Sequence, residues 1–105
     1  MISIKTAKHL GDYRIRLKFS NNLVGVADLE DTITNDRRSV FRELSDSVKF
    51  RDFRTDGYTI CWGNGLDLAP EYLFFLAFRN DPTWQHQFFD WGYLKLEATE
   101  AGFLD

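Results

Sequence analysis

A chain of 105 residues in which 44% of side chains are apolar and 16% aromatic can bury its own core, and this composition excludes a disordered protein. The net charge of −3 and the pI near 5.3 argue against a dedicated nucleic-acid-binding domain, because such domains are usually basic. One cysteine excludes an internal disulfide, and neither a signal segment nor a membrane-spanning run is present, so we expect a cytoplasmic protein with no membrane partner.

The charge is distributed unevenly along the chain. Residues 1–54 contain eleven Lys/Arg and eight Asp/Glu, whereas residues 55–105 contain two Lys/Arg and eight Asp/Glu. Such asymmetry can provide a basic face for an acidic partner. A solvated sheet face would produce the same pattern, so the charges alone leave both interpretations open.

The first 27 residues predict three antiparallel strands, over residues 2–10, 13–19 and 23–27. Gly11-Asp12 and Asn21-Asn22 supply the two turns, because these residue types tolerate the left-handed backbone region. Apolar and basic side chains alternate in the second strand, which places them on opposite faces. The apolar set is Tyr13, Ile15, Leu17 and Phe19, and the basic set is Arg14, Arg16 and Lys18.

The middle of the chain predicts short helices followed by two more strands. Residues 28–39 have no clean period and are interpreted as a loop with one helical turn. Ser39 is expected to cap a short helix and Asp46 a second helical turn, since both side chains accept backbone N–H bonds. A fourth strand begins at Phe53, and a fifth covers residues 58–62.

The C-terminal part predicts two helices. The first covers residues 70–79, because Pro70 suits the first helical position and Glu71 adds an acid to the first turn. This helix is apolar on all sides, so the sheet and another element, or a second subunit, must cover it. The second helix begins at Asp81-Pro82, with Asp81 as its cap and Pro82 at its first position. Residues 95–105 are expected to fray at their end. Its apolar stripe consists of Trp84, Phe88 and Trp91.

These elements predict an α+β fold, with an antiparallel meander sheet of about five strands and the C-terminal helices packed on one face. The sequence contains no internal repeat and no linker. We therefore expect residues 1–105 to form a single domain, with a helical extension over about residues 80–105.

The turn after the fifth strand carries the most distinctive residues of the chain. They are Trp62-Gly63-Asn64-Gly65-Leu66-Asp67-Leu68-Ala69-Pro70-Glu71. This motif resembles that of the bacterial domain-of-unknown-function 2442 family, although this chain has glycine where the family pattern has a proline after the tryptophan. Residues 13–29 and 41–50 also fit, and the resemblance covers about residues 2–75. It implies a similar fold without a settled activity, in a regulatory or toxin–antitoxin-like setting.

Residues with reactive or metal-binding side chains are not spaced as in known catalytic or metal sites. We interpret Cys61 as a structural thiol, because no histidine is placed near it. His86 and Asp90 lie four residues apart on a helix and supply only two metal ligands. The glycines at residues 63–65 lack the lysine of a phosphate-binding loop. The sequence therefore predicts no catalytic residue, no metal site and no cofactor.

We predict a non-enzymatic module that binds a protein partner or associates with itself as a homodimer. One alternative is a small enzyme or ligand-binding domain with a pocket at residues 62–71, where Asp67 acts as an acid or base. A second alternative is nucleic-acid binding through the basic strand. The candidate surface residues are Trp62, Asn64, Asp67, Glu71, Arg14, Arg16, Lys18, Trp84 and Trp91.

Overall fold

The computed structural model of the chain describes residues 1–94, so the predicted fraying of residues 95–105 lies outside the described residues. The first three strands form an antiparallel sheet in the order β1-β2-β3. Their bounds are Ile4–Gly11 for β1, Arg14–Phe19 for β2 and Val24–Asp28 for β3. This sheet confirms the meander predicted for the first part of the chain.

The alternation of β2 has the expected result. Its apolar side chains are fully buried and its basic side chains are exposed, because successive side chains point to opposite faces. The turns on either side also match the prediction, since Asp12 and Asn22 adopt positive φ angles of 47° and 70°. Short polar side chains tolerate this left-handed region better than most residues.

The two later strands do not extend this sheet, so the predicted five-stranded meander is wrong. β4 (Arg54–Thr55) and β5 (Ile60–Cys61) form a separate two-stranded antiparallel sheet. It adjoins β1 through a hydrogen bond of 2.8 Å, which the N–H of Ile4 donates to the carbonyl of Tyr58. The register of β1 shifts directly after Ile4, and two-residue strands are too short to continue the ladder past such an irregularity.

The turn between β4 and β5 is held by Asp56. Its Oδ1 accepts hydrogen bonds from the N–H groups of Thr59 at 2.8 Å and Tyr58 at 2.9 Å. These hydrogen bonds hold the pKa of Asp56 below its usual value, because they favour the charged carboxylate, and the bond from Thr59 has the larger effect. The buried hydroxyl of Thr59 donates to the carbonyl of Leu68 and ties this hairpin to the segment that follows it.

Within residues 1–94 the chain forms five α-helices and one 3₁₀ turn. Their bounds are Glu30–Asn35 for α1, Ser39–Glu43 for α2, Ser47–Phe50 for α3, Pro70–Phe78 for α4, Pro82–Trp84 for the 3₁₀ turn and Gln85–Asp90 for α5. The longest, α4, has nine residues, and no helix of this part of the chain is long and apolar enough to cross a membrane.

Two of the three predicted caps are confirmed. The carboxylate of Asp46 accepts the N–H groups of Val48 and Lys49, and that of Asp81 caps the 3₁₀ turn. The prediction for Ser39 is wrong, because Ser39 is already the first residue of α2 and Arg38 occupies the cap position. The carboxylate of Asp36 accepts the N–H of Arg38 at 2.9 Å and so stabilises the loop just before the helix.

The core centres on α4, where residues 73–76 each expose at most 9% of their surface. The ring of Phe74 lies 5.0 Å from that of Phe19 on β2 and 5.0 Å from that of Trp84. Beside β3, the side chain of Phe78 reaches the α-carbon of Gly25 so closely that a β-carbon there would lie 2.9 Å away. The sheet and the C-terminal helices thus cover the apolar helix within one chain, the first of the two arrangements predicted.

Candidate functional site

Trp62 belongs to the core and offers a partner little surface. It exposes 5% of its surface, and its Nε1–H donates a 2.7 Å hydrogen bond to the carbonyl of Phe50. Its backbone N–H and carbonyl bond to Leu66 and Gly65, which closes the turn. Gly65 adopts a φ of 91°, a region that favours glycine. Trp62 therefore holds the turn from the inside.

Asn64 fastens this turn to α2. Its Nδ2 donates to the carbonyl of Val40 at 2.9 Å and to Oε2 of Glu43 at 3.0 Å. Its Oδ1 accepts the N–H of Leu66 at 3.1 Å. Three hydrogen bonds thus use the amide group, which leaves it little capacity to bind a ligand.

Replacing Asn64 with alanine is expected to lower the free energy of unfolding by about 1 kcal/mol, because the carbonyl of Val40 loses its donor. Urea denaturation followed by circular dichroism measures this change. The control is Asn80→Ala, at an exposed asparagine without a side-chain hydrogen bond inside the described range, where we expect less than about 0.5 kcal/mol. Equal losses at the two positions would mean that the contacts of Asn64 contribute nothing.

The two carboxylates of the predicted pocket have different surroundings. Asp67 is exposed and its backbone forms an antiparallel bridge with Cys61. A cavity of about 290 Å³ lies beside the turn, but Asp67 does not line it. Glu71 is half-buried and lines another cleft, together with Trp84 and Trp91. The geometry therefore gives no support to an acid–base pair at this turn.

The basic side chains of β2 lie on the solvent-exposed face of the three-stranded sheet. The strand register places Lys8 of β1 and Val26 of β3 on either side of Arg16. It also places Val24 beside Lys18, and the two valines expose 53% and 41% of their surfaces. We call this surface the basic face and define it by Lys8, Arg14, Arg16, Lys18, Val24 and Val26.

The basic face carries a net positive charge. None of its four cations forms an ion pair with a carboxylate in the part of the chain that the structure describes. Asp28, the only acidic residue of the three strands, lies opposite Arg14 in the register. The only phenyl ring in these strands, that of Phe19, lies on the buried face. The basic face therefore attracts anions without offering an aromatic platform on which bases could stack.

Trp84 and Trp91 flank a cleft of about 430 Å³ between α4, α5 and the start of the chain. Both indoles are half-buried and contact Phe74, which forms the floor of the cleft. Glu71 and Gln87 also line it. Residues three or four apart lie on the same face of a helix, and the packing of α5 against α4 brings the two faces together. We call it the aromatic cleft.

The remaining reactive side chains do not gather into one site. His86 Nε2 lies 3.3 Å from Asp90 Oδ2, and both side chains are exposed. Residues 1–94 contain no group of three His, Cys, Asp or Glu residues that could hold a metal ion. Cys61 is half-buried on β5, opposite Arg54. The ring of His9 packs against that of Phe50.

Sequence comparison places these features in a family context. The family model described as Protein of unknown function (DUF2442) matches residues 4–79 of the chain. The chain belongs to this family. Comparisons with curated proteins and with solved structures gave no match.

The DUF2442 match extends from the start of β1 to just beyond α4. It therefore contains both sheets and the whole basic face. The aromatic cleft is only partly inside it, because Trp84, Gln87 and Trp91 follow the matched segment. Membership of the DUF2442 family therefore does not by itself imply the part of the cleft that Trp84, Gln87 and Trp91 form.

Proposed function

We propose that this DUF2442 protein is a non-enzymatic interaction module that binds an acidic protein surface through its basic face. The observation that carries the proposal is the basic face itself, where four cations and two exposed valines share the uncovered side of a sheet. The other side of the sheet packs on the core, so the uncovered side is the one available to a partner.

The composition of the basic face suits a protein partner. Its positive charge accelerates the approach of an acidic surface and fixes its orientation. Val24 and Val26 add exposed apolar area at one edge, which a folded partner can bury and so remove from water. Arg14 and Arg16 can form two parallel hydrogen bonds with a carboxylate, a geometry that lysine does not provide.

Two other partners have less support. Self-association was expected from the aromatic residues of the C-terminal helices, but Phe74, Phe75 and Phe88 are buried within the chain. Nucleic acid would also be attracted by the cations, but the basic face lacks aromatic side chains for stacking. A protein surface needs no such stacking, and it can use the valines.

Binding of a labelled peptide rich in glutamate and leucine, measured by fluorescence anisotropy, tests this proposal. We expect the double variant Arg16→Glu, Lys18→Glu to bind the peptide at least about tenfold more weakly, because each reversal replaces attraction by repulsion. The affinity of the unmodified chain should fall as salt is added, since exposed charges are screened.

The matched control is Arg42→Glu, Lys49→Glu, which changes the net charge equally at exposed positions of α2 and α3. It should bind the peptide within about twofold of the unmodified chain if the basic face is the site. Equal losses in both double variants would contradict the proposal. Stronger binding of single-stranded DNA than of the acidic peptide, lost in the basic-face variant, would replace the protein partner by nucleic acid.

A further inference from the structure

We infer that the aromatic cleft is a binding site for an alkylammonium cation. The cleft is open to solvent, has a volume of about 430 Å³, is lined in part by Met1 and shares no residue with the basic face. The two surfaces also select opposite charges, because the basic face attracts anions. This inference therefore stands independently of the proposed function.

Trp84 and Trp91 both line the cleft, and each makes a T-shaped contact with the buried ring of Phe74. The plane of Trp84 makes an angle of 89° with that of Phe74 at a centroid distance of 5.0 Å. The plane of Trp91 makes an angle of 77° with it at 6.1 Å. A cation is attracted to the face of an aromatic ring within about 6 Å of its centroid, and indole is the strongest of the natural rings. Because both indoles line the same cleft, a methylated or primary ammonium group bound there can contact Trp84 and Trp91 together.

Glu71 supplies the negative charge that such a ligand needs. It is half-buried one turn before Phe74 on α4, and it forms no ion pair or hydrogen bond through its side chain with any other residue in the range 1–94. Glu71 lines the cleft together with Trp84 and Trp91. Burial raises the pKa of Tyr93, and the charge of Glu71 raises it further. A carboxylate at the edge of a ring-lined cleft favours an organic cation.

Other classes of ligand match only the rings or only the carboxylate of this cleft. A neutral apolar ligand would cover Glu71 without compensating its charge, which is costly. A metal ion would find a single carboxylate, whereas hard cations need about six or more oxygen ligands. An alkylammonium group uses both the rings and the carboxylate.

Nuclear magnetic resonance with choline as the probe tests the site directly. The chain contains three tryptophans and so gives three indole N–H signals. Those of Trp84 and Trp91 are expected to shift on titration with millimolar choline. The signal of Trp62 serves as an internal reference, because its N–H is bonded to the carbonyl of Phe50 in the core.

A neutral analogue and one matched pair of variants separate charge recognition from mere apolar contact. The alcohol 3,3-dimethylbutanol has the shape of choline without its charge, and we expect it to bind at least about fivefold more weakly. Glu71→Gln should weaken the binding of choline by about fivefold or more. It should lower the thermal midpoint no more than Glu30→Gln does, because both remove an acid from the first turn of a helix. The control Glu30→Gln removes the same charge from an exposed position of α1 outside the cleft and should leave choline binding unaffected.

Three results would overturn the inference: equal binding of choline and its neutral analogue, equal affinities in the two variants, or shifts of the Trp62 signal as large as those of the other two. A capped lysine peptide then distinguishes the sources of the cation. Tighter binding of the peptide than of choline assigns the site to a side chain of a protein partner, and the reverse order assigns it to a free amine.

Discussion

Replacing Phe74 with alanine is expected to lower the free energy of unfolding by about 3–5 kcal/mol, the largest effect of any single change proposed for this chain. Phe74 exposes 1% of its surface. Its ring lies between 4.7 and 6.1 Å from the rings of Phe19, Phe78, Trp84, Phe88 and Trp91. A small domain has only about 5–15 kcal/mol of stability in total, so the variant should lose a large fraction of it.

Urea denaturation measures this loss, and Phe74→Leu provides a milder variant if the alanine variant does not fold. The matched control is Phe89→Ala on α5, whose side chain is 47% exposed. We expect it to change the stability by less than about 0.5 kcal/mol, because little apolar surface is lost from the core. A loss below about 1 kcal/mol for Phe74→Ala would contradict the packing of α4 between the sheet and the C-terminal residues.

Replacing Gly25 with alanine is expected to cost about 1–3 kcal/mol, although alanine normally stabilises a strand relative to glycine. The added β-carbon would lie 2.9 Å from Cζ of Phe78 and 3.0 Å from Cβ of Ala77. Both distances are shorter than ordinary carbon contacts, so the ring of Phe78 would have to turn away. Cβ of Ala77 is fixed to the backbone, so α4 would also have to shift by a few tenths of an ångström. Thermal or urea unfolding measures the effect.

The matched control for Gly25 is Gly63→Ala. A β-carbon at Gly63 would have no atom within 4 Å, and its φ angle is not in the left-handed region. This substitution should leave the stability unchanged or raise it by about 0.5 kcal/mol, because alanine reduces the freedom of the unfolded chain. If Gly25→Ala were no more destabilising than Gly63→Ala, the close approach of β3 and α4 would be wrong.

The parts of the fold that depend on local signals could be predicted from the sequence. The alternation in β2 and the Pro70-Glu71 start of α4 are examples, because side-chain period and helix-start chemistry act within a few residues. The separation of the β4–β5 hairpin could not be predicted. It depends on the irregularity of β1 after Ile4, some fifty residues away in the chain, and strand pairing at such a distance leaves no local pattern.

For the candidate sites too, the sequence identified individual residues but not the contacts between distant segments that bring them together. Residue type alone identified Trp84, Trp91 and Glu71, but their convergence on one cleft depends on how α5 packs against α4. Lys8 was missed as part of the basic face because only the register of β1 against β2 places it beside Arg16. Its position in an alternating strand was the available signal. For Asn64, the sequence predicted the turn but not the distant carbonyl of Val40 that it bonds.

The cover of α4 by its own chain separates folding from partner binding. Proteins whose most apolar helix is completed by a second chain have a stability that depends on concentration, and they unfold when diluted. Here the side chains of residues 73–76 are already buried without any second chain. If the chain binds a partner as proposed, its folding should therefore not require that partner, and its thermal midpoint should not depend on protein concentration.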